Sequence, residues 1–111
     1  MTPRVRHPRT GTHHPVERLS TWWEISRGAI GRTVKSGLWF DFADTNFAPL
    51  HMLAVTQPLV AVWIIDETVQ QVRHLRPWVG VGMARASDVL ELPVDAPLAD
   101  VVGPGDELVV R

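Results

Sequence analysis

The side chains that could do chemistry in this chain are few and scattered. His51, beside Met52 and just ahead of an apolar stretch, is the imidazole best placed to act as acid, base or hydrogen-bond donor near neutral pH. No serine or aspartate stands at a spacing that completes a nucleophilic triad with it, which leaves Asp66 or Glu91 as the carboxylate it could use. Trp39 and Trp78 belong to a set of five tryptophans in a chain without tyrosine, and an exposed indole stacks on a sugar, a base or an apolar ligand. Arg32 and Arg76 could orient an anionic group beside them. A binding surface made of Trp39, His51 and Trp78, with Arg32 or Arg76, is the site these residue types suggest. Trp39 alternates with Leu38 and Phe40, so it is expected to point outward.

Other clusters have simpler explanations. His7, His13 and His14 offer imidazoles to a metal, yet no thiol or neighbouring carboxylate provides a preformed geometry, so no metal site is expected. His74 sits in a polar strand and has no such partners. Arg27, Arg32 and Lys35 flank a predicted helix C-terminus, where favourable interaction with the helix dipole accounts for them. The glycines form neither a phosphate loop nor a dinucleotide fingerprint. Asp41, Asp44, Asp66, Glu91 and Asp106 have no calcium-loop spacing. Asp66 and Asp106 fall in predicted turns, and Glu91, within Leu-Glu-Leu, is expected to be a solvated outward carboxylate. No cofactor is implied.

The elements that must position these residues are mostly strands. In Gly37 to Phe42 the residues Leu38, Phe40 and Phe42 alternate with Trp39 and Asp41, the period of a half-buried strand. Val60 to Ile65 is apolar throughout and turns at Asp66-Glu67 into a more polar partner, Val69 to Leu75. Further strands are expected at Met52 to Val55, Asp88 to Leu92 and Glu107 to Val110. Thr21 with Glu24 forms a capping box for a helix ending near Gly31, and Asp95 is a plausible cap for a short helix over Ala96 to Val102. The pattern predicts a strand-rich α+β domain, a mainly antiparallel compact sheet or partly closed barrel with one or two covering helices.

The chain has 111 residues, enough for one core without a staple, and no cysteine, which removes disulfides and thiolate chemistry. Residues 1–15 hold Arg4, Arg6 and Arg9 and no acid, so that segment is +3 and the remaining residues are −1 − 3 = −4. An acidic body argues against a nucleic-acid partner. Pro3, Pro8, Gly11 and Pro15 punctuate the segment, and Val5 is its one aliphatic residue after Met1. Residues 1–15 are therefore expected to be a disordered basic tail, removable without loss of stability, ahead of a single domain over residues 16–111. No signal peptide or membrane span is read, so a cytoplasmic location is expected.

Several blocks, in order, resemble one family. Arg27-Gly28-Ala29-Ile30-Gly31-Arg32, Gly37-Leu38-Trp39-Phe40, His51-Met52, Pro58-Leu59 through Asp66, Pro77-Trp78, Val89-Leu90-Glu91-Leu92-Pro93 and Gly105-Asp106 follow the pattern of the prokaryotic domain of unknown function 192 family. The resemblance spans about residues 17 to 110 and implies a small globular fold without an assigned activity. Many relatives carry a lysine-asparagine-threonine run after the methionine, whereas this chain has Leu53-Ala54-Val55. Activity that depends on that run is not expected here.

The sequence thus points to a small cofactor-free module that binds a small molecule or a protein, as a monomer or a homodimer paired through the terminal strand. The alternative is a small hydrolase-like acid–base enzyme using His51 with a carboxylate.

Overall fold

The computed structural model describes residues 3–20, 33–52 and 54–111, so the helix expected from Thr21 to Gly31, and Arg32 with it, lies outside the described residues. Seven strands form one sheet: β1 (Arg4–His7), β2 (Thr12–Leu19), β3 (Gly37–His51), β4 (Leu59–Ile65), β5 (Thr68–Leu75), β6 (Val81–Pro93) and β7 (Val109–Val110). Their order is β5-β4-β6-β3-β2-β1-β7. All neighbours are antiparallel except β2 and β3, whose connection takes in the undescribed segment. A helix of five residues, α1 (Pro97–Val101), is the one helix among the described residues. It starts one residue later than expected, and its N-cap is Ala96 without a side-chain hydrogen bond, not Asp95. The strand-rich reading holds, but this part of the chain is mostly β rather than α+β.

Both faces of the central strands are buried. On one face Val5, Val16, Trp39, Leu90, Leu92, Val60, Val62, Ile64 and Val69 bring a residue from each of β1 to β6 against Leu98, Ala99 and Leu108. That arrangement requires the sheet to curl around them, as in a half-barrel whose interior is filled by side chains. On the other face Leu38, Phe40, Leu59, Ala61, Trp63, Leu75 and Val89 form a second cluster, covered by Ala48, Met52, Val55 and Ala86. The unbroken apolar run of β4 follows from this double coverage.

The second cover is made by the sheet itself. β3 and β6 pair from Leu38↔Glu91 to Asp41↔Asp88, then resume at Asn46↔Ala86 and run to His51↔Val81. Five steps along β3 against two along β6 form a bulge, with Ala43 in the left-handed region at φ 67°. Across it the β6 positions that face the second cluster change phase, from odd at Val89 to even at Ala86 and the half-buried Ala84 and Gly82. The distal ribbon, Asn46–His51 with Val81–Ala86, folds back onto Trp63. The indole donates Nε1–H to the Ala48 carbonyl at 2.8 Å, and a Cβ on Gly82 would lie 2.7 Å from the ring. Small residues at Ala48, Gly82, Ala84 and Ala86 let the backbone approach this closely.

The expected strand at Met52 to Val55 is a turn, closed by Val55 N–H to the Met52 carbonyl. The expected disordered tail is also overturned. β1 and β2 form a hairpin with Val5 and His7 fully buried, because Val5 and His7 face inward while Arg6 faces out. His7 donates Nε2–H to Asp106 Oδ2 at 2.8 Å, and its Nδ1 lies 2.6 Å from Thr10 Oγ1. Asp106 also accepts from the Gly103 amide at 2.9 Å, so the hairpin turn is tied to the expected turn at Gly103–Asp106. Val5 and Arg6 pair with β7, and Thr68 bridges Glu107, so the C-terminal segment links β1 to β5 and is engaged on both sides. Deleting residues 1–15 should lower the melting temperature by at least about 5 °C, since burying one valine is worth about 1.5–3 kcal/mol. An unchanged melting curve would show that the hairpin contributes nothing.

Candidate ligand-binding face

The ribbon that folds onto Trp63 with its small residues necessarily turns its large ones outward. Phe47, Pro49 and His51 lie opposite Arg85, Met83 and Val81, and side chains opposite each other share a face. Phe47, Val81 and Met83 are 58–65% exposed. The stripe continues into the turn between β5 and β6, where Trp78 and Val79 are 55% and 70% exposed. A contiguous apolar surface of this kind usually marks a contact site. Pro49, Leu50, Val81, Gly82 and Met83, with His51 and Arg73, line an open trough of about 600 Å³.

Backbone geometry fixes how a partner reaches this face. Met52 N–H bonds to the Gly80 carbonyl, so by the alternation of an antiparallel ladder residues 47, 49 and 51 turn their backbone groups to the open edge of β3. Phe47 N–H is taken by Asn46 Oδ1 at 2.8 Å, and Pro49 has no N–H. Two of three edge donors are thus removed, a standard protection against strand addition. The β3 edge is thus closed, and the face is the surface left open.

The proposed site residues divide. Trp78 and Arg76 lie in the β5–β6 turn, exposed, and Trp78 N–H bonds to the Val55 carbonyl at 3.1 Å, which sets the turn beside the end of β3. Trp78 holds φ 66°, a conformation costing a bulky residue about 1–2 kcal/mol. Gly80 is required two residues on, since a Cβ there would sit 2.7 Å from the Arg76 backbone. His51 is exposed in the trough. Neither Asp66 nor Glu91 hydrogen-bonds to it: Asp66 occupies the β4–β5 turn, its amide facing Ser87 Oγ, and Glu91 lies ten residues along β6 from Val81. Trp39 is overturned as a surface residue. It is 5% exposed and donates its indole N–H to Asp88 Oδ1 at 3.1 Å, because the second face of β3 is buried too. Sequence reasoning missed Arg73 on β5, and Phe47, Val81 and Met83, whose outward direction depends on the phase change at the β3–β6 bulge.

Glu91 is likewise not the solvated carboxylate expected. It is 7% exposed, flanked across the sheet by Leu38 and Ala61, and loss of hydration raises its pKa from 4.5 to about 7. Burial also raises Asp88, against the lowering effect of its hydrogen bonds from Ser87 and Trp39. Hydrogen bonds from His7, then from the Gly103 amide, lower Asp106 from 3.8 to about 2. Thr10, His7 and Asp106 line up as hydroxyl, imidazole and carboxylate. Thr10 Oγ1, however, accepts the Thr12 amide and bonds the Thr12 hydroxyl, which commits it to the turn. His13 accepts from Arg4, and His14 bonds the Lys35 carbonyl, so the three N-terminal histidines have separate partners. Among the described residues no group of three metal-ligating side chains forms, and no helix is long and apolar enough to cross a membrane.

No protein-family model and no curated protein matches the sequence. Two crystal structures match its shape. One, described as a putative transcription regulator, is from Sinorhizobium meliloti 1021, with 23% identity and a TM-score of 0.81 over 97% of this chain and 91% of that one. The fold is an established one. The other, a protein of unknown function from Novosphingobium aromaticivorans DSM 12444, gives 20% identity and a TM-score of 0.83 over 98% of this chain and 84% of that one. At these identities the likeness concerns the fold alone.

Two of the three shifted carboxylates, Asp106 and Glu91, set a pH profile. Asp106 stabilises the fold above about pH 4, and that contribution disappears as pH falls through 2. Glu91 is tolerated while neutral, so stability falls as pH rises from 4.5 through 7, by roughly 3 kcal/mol in all. Chemical denaturation should show Glu91→Gln stabilising the protein at pH 8 and leaving it nearly unchanged at pH 4. An equal effect at both pH values would mean that Glu91 is not buried as an acid.

Proposed function

We propose that this chain is a binding module of the domain of unknown function 192 family, and that its binding face is the outer side of the distal β3–β6 ribbon with the Trp78 turn. The order of the family's sequence blocks along the chain supports the family placement. One observation carries the binding reading: Trp78 is large, apolar and 55% exposed while held at φ 66°. Packing does not explain it, because over half of the side chain touches solvent, and local conformation does not, because asparagine or glycine fits that backbone with less strain. Val79, Val81, Met83 and Phe47 extend the same surface.

The acid–base alternative has less support, since His51 does not meet the carboxylates it was paired with. A nucleic-acid reading, prompted by the description of the Sinorhizobium protein, is not favoured either. The floor of the face is aliphatic, whereas phosphates are held by many cations and polar groups.

The native protein should bind the apolar probe 1-anilinonaphthalene-8-sulfonate at this face. Trp78→Asn and Met83→Asp should each weaken the fluorescence response by at least about five-fold, with Trp78→Asn neutral or stabilising by up to about 1 kcal/mol. A Trp78→Asn protein that melts several degrees lower, or probe fluorescence untouched by both changes, would remove the basis for the reading.

A further inference from the structure

The charge around this face is one-sided. Residues 68–87 contain Arg73, Arg76 and Arg85 and no carboxylate, and residues 45–65 contain no Asp, Glu, Lys or Arg. Residues 68–87 are therefore +3 and the rest of the chain is −1 − 3 = −4. Arg85 lies over the Phe47 ring at 5.6 Å. Arg73 and Arg76 are exposed and absent from the ion pairs among the described residues, which join Arg9 to Asp106 and Arg18 to Asp41.

Arg73 is the informative one. Its stem approaches the ribbon from the Trp63 side, with Cδ 3.4 Å from where a Gly82 Cβ would lie, and it reaches the trough as the one arginine or lysine lining it. The other walls are Pro49, Leu50, Val81, Gly82 and Met83, with His51 at the end of β3. A purely apolar ligand lying here would strip water from the guanidinium and return nothing, which is costly. A ligand carrying one carboxylate would satisfy it with a charge-assisted, bidentate pair. A second copy of the chain is a poor occupant, because a two-fold contact would set arginines against arginines and the β3 edge is closed to strand pairing.

Resting on the binding reading above, we infer that the ligand is a single-chain anionic amphiphile, a carboxylate on an aliphatic or aromatic body. Its head pairs with Arg73 and its apolar part lies on Val81, Met83 and Pro49. One cation in the trough suits one monoanion, with Arg76 and Arg85 supplying longer-range attraction.

Calorimetric titration of the whole protein with sodium decanoate below its micelle-forming concentration, decyltrimethylammonium bromide and sodium acetate tests this. Decanoate should bind saturably at one site, at least about ten-fold more tightly than the cationic amphiphile, with acetate inert. Arg73→Gln, checked for an unchanged melting temperature, should weaken decanoate about ten-fold or more without weakening the cationic probe; Met83→Asp should abolish the decanoate site. Equal affinity for both head groups, or an Arg73→Gln protein that binds decanoate normally, overturns the inference, yet leaves the face standing if Met83→Asp still abolishes binding. Binding unaffected by Met83→Asp, or none at all, overturns both. Binding to phosphatidylglycerol vesicles without saturable binding of free decanoate assigns the face to a membrane surface and also overturns the inference.

Discussion

The contact between the Trp63 indole and the folded-back β3–β6 ribbon governs the rest of this molecule. An isolated two-stranded ribbon is marginal in water and has no reason to lie in one place. Here the ring fills the space beneath Gly82 and bonds the Ala48 carbonyl, so the ribbon is fixed by shape and by one directed hydrogen bond. Everything distinctive follows from that docking. Small residues have to face the ring, so large ones face solvent. The second face of β4 is sealed, and the turn bearing Trp78 is set beside the end of β3.

Sealing both faces of the central strands has an electrostatic consequence. A strand that would otherwise show polar residues to water on alternate positions has to bury them, and Glu91 and Asp88 are both caught this way. Asp88 is compensated by Ser87 and Trp39, whereas Glu91 faces Leu38 and Ala61. The fold thus carries one carboxyl that is easier to keep neutral than charged. The His7–Asp106 pair, by contrast, ties β1 to the turn ahead of β7 and favours the charged carboxylate. The two groups bias the fold in opposite directions along the pH scale.

How much was legible in the sequence depended on what each residue's neighbours determine. The β4–β5 hairpin was readable because a continuous apolar run, a turn at Asp66-Glu67 and a polar partner are local signals. Trp78 and Arg76 were readable as surface candidates from the Pro77 turn between them. Trp39 and Glu91 were misread for one reason: alternation reveals a buried face only when the other face is wet, and the sheet's curl dries both. The bulge at residues 42–45 and 87 reverses the phase of β6, and nothing in the local spelling of Ala86-Ser87-Asp88 announces it. The N-terminal hairpin was hidden by proline and glycine punctuation, and its anchor, His7, finds Asp106 ninety-nine residues away. A partner that distant leaves no trace in local composition.

The central claim, that Trp63 holds the ribbon as a preformed binding face, is most directly tested by native-state amide hydrogen exchange on Trp63→Phe. The account predicts that protection falls selectively across 48–52 and 82–86, while β4 and the proximal half of β6 from Val89 to Leu92 stay protected. Protection unchanged in the ribbon, or lost evenly across the whole sheet, would contradict it.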